Sequence, residues 1–363
     1  MTQSIRRSSL GPLADPQVHQ LLRPDGTLRE SSAQAVGDDV LLEGMHWMLL
    51  SRAFDVRAIA LQRQGRAGVV SPASGQEASV VGSALAFDPR VDWLVPQYRE
   101  LPAYLIWGFP LEHVFHNLTG RPLLGRIPDH VKMLPTQVAI AAQLPHAVGL
   151  AWGLKIQKKD GVVLAYFGDG ASSEGDFHEA CNLAGVTQAP IVFFLQNNQW
   201  AISTPRQLQS AARYLADRAA GYGFAGEIVD GNDFLAVHEV TKRAVERARS
   251  GKGPTLIEAI TYRLSFHNTT DDPTRYQDPD LLESAKANDP IDRLERYLRL
   301  RGLWDDDRHA KAVASAEARI EEAVSKVAAA PRPEPHELFD NIFAELTPAQ
   351  QRQRQELLDR ATE

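Results

Sequence analysis

The 363-residue sequence predicts an α/β fold: a parallel sheet flanked by helices, continued by a helical C-terminal region. Three observations lead there. Apolar runs of strand length, VVLAYF at 162–167, PIVFFLQ at 190–196 and PTLIEAITY at 254–262, are separated by helix-length segments, the pattern of parallel strands joined by crossover helices. The first two runs end directly in turn residues, GDG at 168–170 and NN at 197–198. Beyond 276 the chain reads as largely helical.

Taken in order, residues 1–37 read as an extended arm, because Gly11, Pro12, Pro16, Pro24 and Gly26 interrupt any regular element. Residues 39–63 carry apolar side chains at helical spacing and predict one amphipathic helix. A second helix is expected after Ser74-Gly75-Gln76-Glu77, followed by the loop VPQYRE at 95–100. The alternating strands and helices then form an α/β domain over 38–305. From 306 to 363 a helical extension is expected: an Ala/Glu/Lys-rich helix to 330, a stop at PRPEP (331–335), and two short helices. Thr347 caps the last of these, with Pro348 in its first turn.

Composition narrows the function classes. The chain is 44% hydrophobic and 23% charged, as soluble globular proteins are. A net charge of −7 gives no basic footprint for nucleic acid, so an anionic ligand requires local positive charge. The single cysteine, Cys181, excludes an intrachain disulfide and a cysteine metal cluster, and points to a reducing, cytoplasmic compartment. No apolar run is long enough for a membrane span, and the basic N-terminus lacks the apolar stretch of a secretory signal.

The turns GDG and NN carry the chemistry. Asn198 follows Asp169 by 29 residues, the length of one strand–helix–strand unit. That spacing puts both at the carboxyl ends of neighbouring parallel strands, where open α/β sheets bind ligands. A carboxylate and an amide oxygen suit magnesium, which prefers hard oxygen ligands and keeps phosphate oxygens in its shell; the Trp200 carbonyl offers a third. Gly168 and Gly170 are expected to let the backbone turn and approach a phosphate. Ser173 with Asp176 matches a capping pattern for the following helix, whose amides favour an anion. A dinucleotide fingerprint fits worse, because Ser173 stands where its third glycine is needed.

GDG followed by NN at this distance is the thiamine diphosphate motif, and the string GDGASSEGDFHEACNLAGVTQAPIVFFLQNNQWAIS resembles the α subunits of pyruvate and branched-chain 2-oxo acid dehydrogenases. The resemblance covers roughly residues 40–345, and the closing AELTPAQQRQRQEL is similar to actinobacterial members. It implies that Asp169, Asn198 and the Trp200 carbonyl hold magnesium, and that Gly168, Gly170, Ala171 and Ala201 line the thiamine diphosphate. VPQYRE is similar to the family segment that grips the diphosphate, which gives that part to Gln97, Tyr98 and Arg99. VAIAAQLPHAVG resembles the segment that bends the cofactor, with Ile140 as apolar wedge and Val138 offering its carbonyl to the aminopyrimidine. TYRLSFHNTTDDPTRY resembles the active-site loop, with His267 as the catalytic histidine beside the cofactor, flanked by Arg263 and Arg275. Ser265-Phe266 departs from the usual pair before that histidine. Asn268 stands where mitochondrial relatives carry a regulatory serine, and Gln137 and Ala142 replace potassium ligands of the branched-chain enzymes.

The implied reaction is decarboxylation of a 2-oxo acid with transfer of the acyl fragment to a lipoyl acyltransferase core. The family's activating glutamate comes from a β subunit, and no second sheet domain follows 276 to supply it. An α-two β-two assembly is therefore expected, with the helix at 39–63 and the helix after GDG as packing surfaces. QYRE and SSEGD lean to branched-chain substrates, whereas Gln196 and DDPTRY are also typical of bacterial pyruvate enzymes. A non-catalytic cofactor-binding paralogue, marked by the altered LSFHN loop, and a self-sufficient decarboxylase are the other readings.

Overall fold

The computed structural model describes residues 15, 17–29, 36–121, 124–331, 333–340 and 343–362; Gly11, Pro12 and Pro16 of the expected arm lie outside them. Strands β1 (Trp93–Val95), β2 (Val163–Gly168), β3 (Ile191–Asn197), β6 (Ala225–Asp230) and β7 (Thr255–Ile260) form one parallel sheet in the order β1-β2-β3-β7-β6. The three strands expected from the sequence are its centre, β2, β3 and β7. They are buried on both faces, which is why they read as unbroken apolar runs. A two-stranded ribbon, β4 (Trp200–Ala201) and β5 (Thr204–Pro205), stands apart from the sheet just beyond β3.

Successive side chains of each central strand enter opposite layers. Leu164, Tyr166, Val192 and Phe194 pack with the helices α1 (Asp38–Arg63), α2 (Glu77–Ala84) and α8 (Phe234–Arg249). Val163, Phe167, Ile191 and Phe193 face α5 (Gln143–Ile156) and α6 (Gly175–Thr187). Two short helices, α3 (Leu101–Ile106) and α4 (Leu111–Leu118), follow β1, and the four-residue α7 (Arg206–Gln209) follows β5. After β7 come α9 (Pro279–Lys286), α10 (Pro290–Leu300), α11 (Asp306–Ala329), α12 (Glu337–Asp340) and α13 (Pro348–Thr362). At the start of α13 the Thr347 N–H donates to Gln350 Oε1 (3.0 Å), and the Gln350 N–H donates back to Thr347 Oγ1 (3.4 Å), so the expected cap is a reciprocal one.

Helix α1 begins one residue earlier than the periodicity predicts, with Asp38 and Asp39 in its first turn, where carboxylates suit the helix dipole. Its apolar positions, Leu41, Met45 and Met48 among them, are covered by α2, α10 and α11 of the same chain. Exposed apolar side chains stand on α1 (Val56), α5 (Trp152, Ile156) and α6 (Leu183, Val186).

Residues 17–29 lie along the sheet edge: His19 N–H donates to the Ile228 carbonyl at 2.9 Å, and Asp230 N–H donates to the His19 carbonyl at 3.1 Å. Asp233 accepts from the amides of Leu21 and Leu22 at 2.6 Å each, and its other oxygen caps α8 through Ala236 N–H at 3.1 Å. Behind it, the guanidinium of Arg293 on α10 meets Asp230 at 2.7 Å with both side chains buried. Among the described residues no helix is long and apolar enough to cross a membrane.

Candidate active site

Neighbouring pairing of β2 and β3, with Gly168 opposite Gln196, brings their carboxyl ends side by side. The two loops then touch. A Cβ on Gly170 would stand 2.8 Å from that of Ala201, so glycine is required there for close approach. Gly168 has no such need: it has room for a methyl group and an ordinary strand conformation. The close approach that requires glycine is thus between the two loops, at Gly170. Gln209 of α7 clamps the arrangement, its amide donating to Asp169 Oδ2 at 2.8 Å and to the Thr204 carbonyl at 3.1 Å.

Asp169 is followed by a 3₁₀ turn over Gly170–Ser173, and α6 starts only at Gly175 with Glu174 at its N-cap. Ser173 is exposed and does not cap that helix. Ser172 does the local work, its hydroxyl donating to the Asp169 carbonyl at 2.7 Å. The Asp169 carboxyl is buried, and burial raises its pKa, against which Arg206 and Arg263 act as nearby positive charges. A cation beside this carboxylate would compensate for the lost hydration.

In the second loop Asn197 and Asn198 have different tasks. Asn197 is structural: its amide donates to Glu258 Oε1 at 2.6 Å, and its Oδ1 accepts the Gln199 N–H at 3.2 Å. Asn198 donates from Nδ2 to Gln76 Oε1 at 3.1 Å and accepts the Trp200 N–H on Oδ1 at 3.2 Å. The ribbon beyond it bends through Gln199 at φ 74° and Ile202 at φ 53°. Positive φ at a β-branched residue is strained. The Ile202 carbonyl there accepts from Arg263 Nη2 at 2.8 Å.

Residues 97–100 are folded around a buried carboxylate. Glu100 Oε2 accepts the N–H groups of Gln97 (3.0 Å) and Arg99 (3.1 Å), and burial pushes its pKa up to about 7. Tyr98 lies beneath the Arg99 guanidinium, 5.2 Å from its ring centre. The Gln97 side chain reaches towards Gly168, and its carbonyl accepts the Gln137 N–H at 2.9 Å, joining this turn to the segment with Val138 and Ile140. Val138 is 73% exposed and Ile140 39%, next to a left-handed Ala141 at φ 65°. Both apolar side chains are open to a neighbour from outside the chain.

His267 meets Arg99, 168 residues away in sequence: Arg99 Nη2 donates to His267 Nδ1 at 3.1 Å and to its carbonyl at 2.8 Å. A guanidinium has no acceptor, so Nδ1 must accept and the ring proton sits on Nε2. Burial first, then the charges of Arg99 and Arg263, push the His267 pKa down to about 4; the imidazole is neutral at pH 7. Its backbone N–H donates to Asp271 at 2.7 Å, and Asp271 also accepts the Tyr276 hydroxyl at 2.5 Å. Arg263 donates to that hydroxyl at 2.5 Å, which closes the loop on itself. Of the two flanking arginines, only Arg263 enters this network; Arg275 is exposed.

Several donors at this edge have no partner among the described residues: Arg263 Nη1, Gln76 Nε2 and Gln196 Nε2. Each belongs to a buried residue touching or adjoining the two loops. Unpaired buried N–H groups are costly, and an anion would satisfy them. Arg99, Arg206 and Arg263 supply the local positive charge that the net charge of −7 withholds. With the Asp169 carboxylate and the Asn198 oxygen alongside, the donor set fits a diphosphate held through a hard cation.

Sequence reasoning did not find Gln76, Gln209 or Arg206. The first belongs to the loop at 72–77, whose Gly75 (φ 94°) lies so close to the Tyr262 carbonyl that a Cβ would stand 2.2 Å from it. Asp55 of α1 holds that loop by accepting from Ala73 N (2.9 Å), Ser74 N (3.0 Å) and Ser74 Oγ (2.8 Å). The signal available was the polar string SGQE directly before an apolar helix.

A parallel sheet whose carboxyl edge combines a buried carboxylate, a carboxamide oxygen and unpaired N–H donors defines a class: an α/β protein suited to an anionic ligand carried with a hard cation. The family model described as "Dehydrogenase E1 component" matches residues 45–336, and the chain belongs to that family. It is 42% identical over 358 residues to the 3-methyl-2-oxobutanoate dehydrogenase subunit alpha of Mycobacterium tuberculosis, covering 98% of this chain and 97% of the relative. It is 39% identical over 329 residues to the pyruvate dehydrogenase E1 component subunit alpha of Bacillus cereus (90% and 88% covered) and 38% identical to that of Bacillus subtilis, with the same coverage.

Proposed function

We propose that this chain is the α subunit of a 2-oxo acid dehydrogenase E1 enzyme, holding thiamine diphosphate through magnesium. The observation that carries the reading is the contact between the loops of Asp169 and Asn198 at one sheet edge, with Arg99 and His267 paired beside them. Asp169, Asn198 and the Trp200 carbonyl hold the magnesium. Gln97, Tyr98 and Arg99 bind the diphosphate, lined by Gly168, Gly170, Ala171 and Ala201. Val138 offers its carbonyl and Ile140 its apolar side chain to the organic part of the cofactor. The cofactor, when bound, supplies the electron sink for decarboxylation.

Burial is the largest influence lowering the His267 pKa; an anion beside Arg99 and Arg263 would offset the two that follow it and raise the pKa from about 4, which favours a ring that holds and delivers a proton. Exposed Val138 and Ile140, together with the outward apolar side chains of α5 and α6, support a β subunit completing the site in an α-two β-two assembly. A lipoyl acyltransferase core then takes the acyl group. For the complex of this chain with its β subunit, His267→Ala is expected to lower lipoyl acylation by about 10²–10⁴-fold. Magnesium-dependent binding of thiamine diphosphate, followed by titration calorimetry, should stay near the parent value. Full acylation activity in the variant would remove His267 from the mechanism.

The substrate assigned is a branched-chain 2-oxo acid. The string QYRE, Glu174, and the 42% identity to a 3-methyl-2-oxobutanoate enzyme, against 38–40% to the pyruvate enzymes, support it. A methylene or two in a pocket separates substrates by about 1–3 kcal/mol, so the preference should be tens-fold rather than absolute. The reconstituted complex is expected to decarboxylate 3-methyl-2-oxobutanoate with a higher kcat/KM than pyruvate; the reverse order would assign it to pyruvate.

A further inference from the structure

Asn198 can serve a cation only with one face of its carboxamide. The oxygen must point at the metal and the NH₂ group away from it, and a half-turn about the last side-chain bond exchanges them. Two contacts fix the choice here. The Trp200 N–H occupies one lone pair of Oδ1, and Gln76 Oε1 accepts from Nδ2 at 3.1 Å. Gln76 is fully buried. Its backbone is set by the Ala73 carbonyl (2.8 Å), by the Asp55 contacts on residues 73 and 74, and by the tight seat of Gly75 under Tyr262. Its Nε2 has no partner among the described residues, and an anion accepting from it would hold the Gln76 amide with Oε1 towards Asn198.

From this geometry we infer that Gln76 is a positioning residue for the metal: its oxygen holds the Asn198 amide so that Oδ1, not Nδ2, faces the cation. The inference rests on the proposed magnesium site. It makes a specific demand. An aspartate at 198 presents oxygen in either orientation, so which atom faces the cation no longer depends on Gln76, which could only turn and donate to it from Nε2. Gln76 should therefore matter far more when residue 198 is asparagine than when it is aspartate.

The test uses the full chain in complex with its β subunit. Magnesium is titrated at saturating thiamine diphosphate, and binding is read by calorimetry rather than turnover. Gln76→Met, close in size but without an acceptor, is expected to raise the magnesium requirement about 10–100-fold, as loss of an outer support of a metal ligand does. In an Asn198→Asp background the same substitution should change it by less than about threefold, a non-additivity that a general loss of stability would not produce. Gln76→Glu retains the acceptor for Asn198 while losing the Nε2 donor, so its magnesium requirement at saturating thiamine diphosphate should stay well below that of Gln76→Met, which keeps the test open if the methionine variant folds poorly. An unchanged requirement in Gln76→Met, an equal penalty in both backgrounds, or a requirement in Gln76→Glu as high as in Gln76→Met overturns the inference. A parent complex that binds no thiamine diphosphate with magnesium would overturn the proposed function, and this inference with it.

Discussion

Asp169→Ala is expected to abolish magnesium-dependent cofactor binding while leaving the chain folded. The carboxylate is buried at the end of β2, and burial raises its pKa, so the apoprotein bears a cost for keeping it there. Removing it relieves that cost and forfeits one hydrogen bond from Gln209, for a net change in apoprotein stability of about 1 kcal/mol or less. With magnesium present the balance reverses, because the carboxylate is the charged ligand of the proposed site. Deleting one partner of a buried charge pair costs about 3–5 kcal/mol, or about 10²–10⁴-fold in affinity. Asp169→Asn keeps an oxygen and should fall between. Calorimetric titration of the complex with thiamine diphosphate at several magnesium concentrations reads all three, and an alanine variant that still binds with the parent's magnesium dependence would exclude Asp169 as a ligand.

The second large effect lies on stability. Arg293 is 1% exposed and sits 2.7 Å from Asp230 and 3.6 Å from Asp233, and it also donates to the Leu22 carbonyl. Arg293→Met keeps much of the volume and leaves two buried carboxylates facing each other without a cation. The expected loss is about 3–5 kcal/mol at pH 7.5, seen as a lower urea midpoint. The pH dependence has a definite sign. Burial raises the Asp233 pKa even with the arginine present, and its removal raises it further. A folded state with a raised carboxyl pKa binds more protons than the unfolded chain, so stability falls as pH rises through that range. The variant should therefore regain part of its deficit at pH 5. A deficit that is unchanged or larger at pH 5 would show that lost packing, not uncompensated charge, is responsible. Asp233 also holds Leu21 and Leu22, so limited proteolysis near residues 17–29 should accelerate in parallel.

How far the sequence reaches is visible element by element. β2, β3 and β7 were legible because strands buried on both faces leave continuous apolar runs. β1 was not, since Trp93–Val95 is three residues long and merges into the polar loop that follows. β6 was not, since at the sheet edge its burial is partial over the first four residues and periodicity fades. Helix α1 was placed within one residue, but what covers its apolar stripe was not legible. An apolar stripe records that a face is buried but not what covers it, and here α10 and α11, more than 200 residues later, do so.

The candidate site divides along the same line. Asp169 and Asn198 could be read from the sequence because each follows a strand directly, and the length of one crossover unit fixes their relation in space. Arg99 and His267 could be singled out through motif resemblance, but not as a pair. Their hydrogen bond, the Nε2 proton it dictates and the lowered basicity of the imidazole arise only when segments 168 residues apart are folded together. Gln76, separated from Asn198 by 122 residues, left no periodicity or spacing to betray it. The sequence by itself determined the parallel sheet, the two loops at its carboxyl edge and the chemistry they can offer, because strand burial and crossover length are local properties of the chain. Only the tertiary structure decided which side chains hydrogen-bond to Asp169 and Asn198 and which donors at the sheet edge remain unpaired, because hydrogen-bond partners are chosen by proximity in space, which sequence separation does not encode.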